Sequence, residues 1–218
     1  VIVNDEDLTY AVVRPDDTSL SCLTASLGSL RDPMARALAW SMLHNLVRDA
    51  LIDAPAFVQA VLTHADDDTE PSTLTVLLNQ ALRVACRYAG GHTRRVLLEH
   101  LVGDDSTGPS KQAAPTVLHG GWGRLRAAAP GSDAQIVRAR AWLEAAGQAR
   151  LIGETGSARA AARAREILDG ALPGLELDAD MRWRALTALA RLGAVSTDEL
   201  EAQRKADPTA SGITHHLQ

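Results

Sequence analysis

Histidine and cysteine are the residue types in this chain that most readily bind a metal or take part in catalysis. The sequence contains two cysteines and seven histidines, which are His44, His64, His92, His100, His119, His215 and His216. None of them forms an H-E-x-x-H motif, and the cysteines do not have metal-ligand spacing. His215 and His216 are adjacent and point to different sides of a helix. We therefore predict no catalytic, cofactor-binding or metal-binding residue in this chain.

Three other patterns invite a chemical interpretation and lack its essential parts. The sequence Gly120-Gly121-Trp122-Gly123 lacks the G-K-[ST] ending of a phosphate loop. No G-x-S-x-G motif is present for a hydrolase nucleophile. The run Asp66-Asp67-Asp68 lacks the spacing and glycine of a calcium loop, and a solvated helix end is the better interpretation.

The composition favours packed helices over a β-sandwich. Hydrophobic residues make up 46% of the 218 residues and aromatic residues only 3%, so the core must consist mainly of Leu, Ala and Val. The net charge of −5 argues against a nucleic-acid partner. No apolar run reaches the roughly 18 residues of a membrane helix, and we expect no membrane partner. Cys22 and Cys86 are expected to be buried free thiols in a reducing cytoplasm.

The clearest helix lies within residues 175–193. Asp178 is a good N-cap, and Trp183 and Leu186 belong to an apolar stripe at helical spacing. Gly193 stands where a left-handed residue ends a helix. The capping-box pattern Ser196-Thr197-Asp198-Glu199 then begins a second helix.

Similar start and stop signals predict helices along most of the chain. We expect N-caps at Thr18 or Ser19, at Asp32, at Thr93 and at Ser132, and a further helix that begins at Ser157. Residues 117–129 have a helical pattern that three glycines interrupt, so we expect a broken or kinked helix there. His44, on a buried helix, is expected to be a hydrogen-bonded core residue.

The fold class predicted from these signals is all-α, with HEAT-like antiparallel helix pairs that form a curved solenoid or bowl. The alternating pattern near the N-terminus predicts a short β-hairpin or strand. The predicted organisation is a β-hairpin or strand at 1–14 left from a preceding domain, a first helical subdomain at 15–102, a mobile loop at 103–115, and HEAT-like pairs at 116–218. Because the sequence begins without Met in a strand-like pattern and ends in the first turns of a further helix, we interpret it as part of a longer polypeptide.

Two segments resemble a known family. Residues 1–20 (VIVNDEDLTYAVVRPDDTSL) and 175–193 (LELDADMRWRALTALARLG) are similar to the C-terminal region of the actinobacterial aminopeptidase N type of zinc metallopeptidase, in the same broad family as the endoplasmic-reticulum aminopeptidases. Residues 32–38 and 130–135 resemble that region too, whereas 103–129 depart from its more continuous helix.

The resemblance implies a non-catalytic domain that caps the active-site chamber of a zinc aminopeptidase. It implies that the zinc, its ligands and the general base belong to an upstream catalytic domain of the same polypeptide, and that no cofactor binds to this chain. Peptides would be the substrates, and Asp180 and Arg182 would line the chamber. The alternative is a free-standing HEAT-like module that binds a protein partner on its concave face.

Overall fold

All the regular secondary structure in the described part of the chain is helical. The structure is a computed structural model, and it describes residues 11–67, 70–103 and 120–217. Its α-helices are α1 (Asp17–Ser26), α2 (Pro33–Arg48), α3 (Ala54–His64), α4 (Pro71–Arg87), α5 (Gly91–Val102), α6 (Gly121–Ala127), α7 (Asp133–Ala146), α8 (Glu154–Leu168), α9 (Ala179–Leu192), α10 (Thr197–Ala206) and α11 (Ala210–His216). Short 3-10 helices cover Leu27–Ser29, Ala65–Asp67 and Ala149–Ile152. The all-α prediction is confirmed for these residues.

The predicted strand or hairpin at 1–14 falls mostly outside the described residues. Only 11–14 are described, and they are neither strand nor helix. The predicted loop at 103–115 also lies outside the described residues, except for Gly103. Both remain predictions.

Most of the predicted helix starts are confirmed by side-chain caps. The carboxylate of Asp178 accepts the N–H of Met181, and the hydroxyl of Ser132 accepts the N–H of Gln135. Each satisfies a backbone donor that has no partner within its own helix. The reciprocal capping box of Ser196 with Glu199 is present. Asp32 likewise caps α2 ahead of Pro33, and Gly193 ends α9 with a φ of 72°.

Two expectations about α1 and the cysteines are wrong. The N-cap is Asp16 rather than Thr18 or Ser19, because the Asp16 carboxylate accepts both the N–H and the hydroxyl of Ser19. Cys22 is exposed and Cys86 is half-buried, although both are free thiols. Cys22 lies at the surface because α1 buries none of its residues.

Two other helices begin earlier than their hydroxyl residues indicate. α5 begins at Gly91 rather than after Thr93, and α8 begins at Glu154 rather than at Ser157. Gly153, with a φ of 104°, turns the chain out of the preceding 3-10 helix directly into α8. The first turn of any helix leaves N–H groups without intrahelical partners, so a hydroxyl cap is favourable without being required.

The chain divides into two compact units, residues 1–94 and 95–218. In the first unit α2, α3 and α4 pack together around Trp40, Leu43, Phe57 and Leu77, all of which are buried. The rings of Trp40 and Phe57 meet edge to face with centroids 6.4 Å apart. This geometry is a preferred arrangement of aromatic rings and adds to the burial of their area.

In the second unit α9 packs against α7, α8 and α11. Trp122 and Trp142 are buried with ring centroids 4.7 Å apart. The backbone carbonyl of Val102 accepts the indole N–H of Trp142 at 3.1 Å and a guanidinium N–H of Arg163 at 3.1 Å. α6 is one uninterrupted helix despite Gly121 and Gly123, so the expected kink is absent from its described residues, which begin at 120.

Ala50 ends α2 in a conformation that suits glycine better. Its φ is +55°, and it follows the last turn as the left-handed C′ residue, with the N–H of Leu51 bonded to the carbonyl of Leu46 at 2.8 Å. A β-carbon in this region meets the following carbonyl oxygen. We expect Ala50→Gly to raise the free energy of unfolding by about 0.5–1 kcal/mol, since relief of this strain outweighs the entropy cost of glycine.

Urea denaturation followed by circular dichroism measures this change. Ala56→Gly, inside the first turns of α3 and also exposed, is the control and should lower stability by up to about 1 kcal/mol. A destabilised Ala50→Gly variant would contradict the assigned conformation.

A candidate anion-binding groove

Asp180 and Arg182, the two site residues predicted from the sequence, are not brought together. Asp180 lies in the first turn of α9, where it accepts a hydrogen bond from Nε of Arg184 at 2.8 Å and lies 3.1 Å from a guanidinium nitrogen of Arg140. Arg182 is exposed. Residues two apart on a helix point to nearly opposite sides, so the partner of Asp180 on α9 is Arg184 and not Arg182.

The acidity of Asp180 reflects these neighbours. Burial by itself would raise the pKa of Asp180, but the hydrogen bond from Arg184 and the charges of Arg184 and Arg140 outweigh it and hold this pKa below its usual value. Asp180 is therefore ionised at neutral pH, and it fixes two guanidinium groups from two different helices.

The two arginines line a small groove beside Asp180. Its volume is about 80 Å³. The lining residues come from α7 (Arg140, Leu143 and Glu144), α9 (Arg184, Thr187, Ala188 and Arg191) and α11 (His215). On α9 the polar members and Asp180 follow one another at spacings of three and four residues, which places them on one face of the helix.

Positive charge exceeds negative charge along this lining. Arg191 forms an ion pair with Glu144 at 2.8 Å, and Asp180 is shared between Arg140 and Arg184. Three guanidinium groups thus meet two carboxylates. Nε of Arg140 is buried and has no hydrogen-bond partner among the described residues. An anion with two oxygens suits such a set of donors, because a guanidinium binds carboxylate and phosphate in a planar, bidentate manner.

The far side of the groove is built on Trp183. This side chain is 1% exposed, and its indole N–H donates to Oδ2 of Asp207 at 2.8 Å. The His215 ring stacks on the indole, with centroids 6.0 Å apart and an interplanar angle of 14°. Hydrogen bonds from the Thr209 side chain and from Trp183 lower the pKa of Asp207 below its usual value.

The site residues predicted from the sequence do not include Arg140, Arg184, Arg191 and His215. The α9 members carried a usable signal, because Asp180, Arg184 and Arg191 have helical spacing. Arg140 and His215 carried no such signal, since Arg140 lies about 40 residues before these α9 residues in the sequence and His215 about 30 residues after them. Only the packing of α7 and α11 on α9 brings them together.

Lowering the pH should reduce the stability of the second unit, because Asp180 becomes protonated. A carboxyl group with a lowered pKa in the folded protein stabilises it fully above the unfolded pKa and loses that contribution as pH falls through the folded pKa. We expect the free energy of unfolding to fall between pH 6 and pH 3, and to fall less in Asp180→Asn.

Urea denaturation at the two pH values measures this effect. Asp133→Asn, a first-turn aspartate of α7 that is not the cap, is the matched control and should keep the pH dependence of the unsubstituted chain. An identical pH dependence in Asp180→Asn would contradict the assignment.

His44 differs from its expected role. Its ring lies 5.7 Å from that of Phe57, and Nε2 is buried without a hydrogen-bond partner among the described residues. Burial, followed by the positive charges of Arg48 and Arg83, lowers its pKa. His44 is a neutral, half-buried imidazole packed against Phe57, and within the described part of the chain no hydrogen bond of Nε2 supports the predicted hydrogen-bonded core role.

A larger cleft of about 500 Å³ lies in the first unit between the ends of its helices. Its acidic group, Asp53, caps α3 by accepting the N–H of Ala56, and Arg48 donates to Asn45. The charged groups of this cleft, Asp53 and Arg48, therefore serve the local structure, in contrast to the arginine set of the groove.

Within the ranges that the structure describes, no three or more His, Cys, Asp or Glu side chains lie close enough together to hold a metal ion. Among those same residues, no helix is both long and apolar enough to cross a membrane.

Comparison with known proteins places the chain in context. The model of the ERAP1-like C-terminal domain family matches residues 1–218. A protein of Streptomyces lividans named Aminopeptidase N is 30% identical over 217 residues. That alignment covers 99% of this chain and 22% of the relative, so the chain spans about a fifth of the relative's length.

Proposed function

Because the chain belongs to the ERAP1-like C-terminal domain family, we propose that it is the non-catalytic C-terminal domain of an aminopeptidase that removes N-terminal residues from peptides. The observation that carries this proposal is the coverage of the match. The alignment takes in 99% of this chain and leaves 78% of Aminopeptidase N (100% less the 22% matched) for other parts. The main partner would be an upstream catalytic domain of the same polypeptide.

The catalytic metal is assigned in this proposal to that upstream domain. A zinc ion would supply Lewis-acid chemistry to peptide hydrolysis there. The described residues of this chain do not offer it a set of ligands, and the sequence has no H-E-x-x-H motif. In this proposal the contribution of this chain is to bind and orient the part of the peptide that does not react.

Its mechanical role would be to cap the chamber over the catalytic domain. Stacked HEAT-like helix pairs that form a bowl would limit which peptides enter and would exclude bulk water from the reacting end. The all-helical architecture supports this proposal, and the short linkers between α9, α10 and α11 are typical of stacked helices. We also propose a cytoplasmic location.

The groove suggests how the domain would act on substrate. A peptide that presents its N-terminus to the catalytic domain carries a carboxylate at its other end. The guanidinium groups of Arg140 and Arg184, both ordered by Asp180, can bind that carboxylate with charge-assisted hydrogen bonds. Interactions with the remote end of a substrate lower KM when they are equal in the bound and transition states.

The experiment uses the complete aminopeptidase polypeptide and pairs of peptides that end in a free carboxylate or in an amide. We expect Arg140→Gln and Arg184→Gln to raise KM about tenfold for the acid, which corresponds to about 1.4 kcal/mol. The amide should be nearly unaffected. The activity on a short amino-acid amide, which cannot reach the groove, should not change.

Arg182→Gln provides the matched comparison, because it removes the same charge from an exposed position on the same helix. It also tests whether Arg182 lines the chamber, as the sequence predicts. An effect confined to Arg140 and Arg184 supports the groove. Equal effects at all three positions would indicate general attraction, and unchanged discrimination between acid and amide would overturn the role of the groove.

A further inference from the structure

His215 is held in a fixed position at the edge of the groove. It lies on α11, its ring is half-buried and stacks on Trp183, and it lines the same cavity as Arg140, Arg184 and Arg191. The stacking leaves the ring nearly parallel to the indole, with 14° between the planes. The imidazole therefore has a defined orientation beside the arginine set.

Several contacts attach α11 to neighbouring residues of the second unit and keep the orientation of the His215 ring. Oγ1 of Thr209 caps the helix by accepting the N–H of Gly212 at 3.1 Å, and Asp207 accepts the Thr209 hydroxyl at 2.6 Å. Gly212 lies so close to Asp207 that a β-carbon would be 2.6 Å from its Oδ2. On the other side of α11, Nε2 of His216 lies 3.2 Å from Oε1 of Glu201.

When Asp207 is counted with the three guanidinium groups and two carboxylates of the groove, the charges around His215 sum to zero while its ring is neutral. They are Arg140 and Glu144 on α7, Asp180, Arg184 and Arg191 on α9, and Asp207 in the linker before α11, with the His216–Glu201 pair beyond them. Arg140, Arg184 and Arg191 carry three positive charges, and Glu144, Asp180 and Asp207 carry three negative ones. A protonated His215 changes this local sum from zero to +1.

The carboxylates of Asp180 and Asp207 already have other partners, so they do not fully neutralise the charge of a protonated His215. Against the effect of burial, Arg184 and Arg140 hold the pKa of Asp180 below its usual value, and Thr209 and Trp183 do the same for Asp207, with His215 the smallest contributor to each. Asp180 is already bound by two guanidinium groups, and Asp207 by an indole and a hydroxyl. The additional charge is therefore available to an incoming anion.

We propose that His215 is a titratable anion-binding residue, which makes the groove bind a peptide carboxylate more tightly when the imidazole is protonated. This inference rests on the proposed function, since it concerns the same groove. It adds a determinant of affinity that the arginines cannot provide, because a guanidinium group stays charged at all relevant pH values whereas an imidazole can gain or lose its charge near neutral pH.

The test measures binding of N-acetyl-trialanine to this chain at pH 5.5 and pH 8.0 by isothermal titration calorimetry. The acetyl group removes the titrating amine of the peptide, and its carboxylate stays ionised at both values. We expect the Kd to be about five- to tenfold lower at pH 5.5. The same peptide ending in an amide should show no pH dependence.

Two variants separate this inference from the proposed function. His215→Gln should abolish the difference between the two pH values while binding at pH 8.0 remains. His216→Gln, the adjacent histidine on α11, should keep the difference. Arg140→Gln should weaken binding at both pH values.

Equal affinity at the two pH values in the unsubstituted chain, or a difference that persists in His215→Gln, would overturn the role of His215 alone. Binding that does not respond to Arg140→Gln, or no binding at either pH, would overturn the groove as well. If His215→Gln does not fold, the ring NMR signals of His215 in the unsubstituted chain decide the matter. They must shift on addition of the acid peptide at pH 5.5 and not on addition of the amide.

Discussion

Replacing Trp183 with alanine should lower the free energy of unfolding by about 3–5 kcal/mol, which is the usual cost of removing a fully buried large aromatic side chain. Trp183 is 1% exposed and is among the largest fully buried side chains in the described residues. It lies where α9 contacts α11, and its indole supports the His215 ring. The variant should therefore lose the docking of α11 in addition to core volume.

Trp183→Phe separates the two contributions, since it retains a buried ring and removes the N–H that Oδ2 of Asp207 accepts. We expect it to be less destabilised than Trp183→Ala. Urea denaturation gives the stabilities, and amide hydrogen exchange in residues 210–216 reports the docking of α11. Protection of α11 that is unchanged in Trp183→Ala would contradict this account. Trp142→Phe, which also removes a buried indole N–H donor, is the control and should leave α11 protected.

Replacing Gly121 with alanine should lower the free energy of unfolding by about 3 kcal/mol, at the upper end of the usual range for overpacking. A β-carbon at this position would overlap the carbonyl oxygen of Leu101 and lie 2.9 Å from its carbonyl carbon. These are backbone atoms of α5, which cannot rotate away as a flexible side chain can. α6 approaches α5 this closely because residue 121 has no side chain, and the N–H of Trp122 bonds to the carbonyl of Gly103 at 2.9 Å.

Gly91→Ala is the matched control, because a β-carbon on this first residue of α5 would meet nothing within 4 Å. Alanine favours the helix by up to about 1 kcal/mol relative to glycine, so this variant should be as stable as the unsubstituted chain or more stable. Thermal and urea denaturation compare the two variants. Similar stabilities for Gly121→Ala and Gly91→Ala would show that α6 does not lie against the α5 backbone.

Capping residues account for most of what was predicted correctly about the helices. Asp32, Ser132, Asp178 and Ser196 each act on N–H groups two or three residues away. Such interactions are local, and the sequence therefore displays them directly. The errors at α1, α5 and α8 have a related cause. More than one residue near a helix start can serve as the cap, and at α8 a glycine turn starts the helix without a side-chain cap.

The groove could be predicted only in part. The sequence drew attention to Asp180, yet it paired that residue with Arg182, because the two are close in sequence and both are charged. In the structure the partner of Asp180 on its own helix is Arg184, which is four residues away, and the second partner is Arg140, from α7. A contact across 40 residues depends on how two helices pack, and no local pattern in the sequence encodes it.

The sequence by itself determined that this chain is helical and that the helix at 175–193 begins at an aspartate cap and ends at a glycine. It also pointed to a family, through segments spread along its length. The tertiary structure decided that Trp183 is the support for His215 and that Asp180 orders two arginines from different helices. The physical reason is the distance along the chain over which each interaction acts. Caps and apolar stripes act over three to four residues, whereas the charge balance of the groove is set by helices α7, α9 and α11, which only folding brings together.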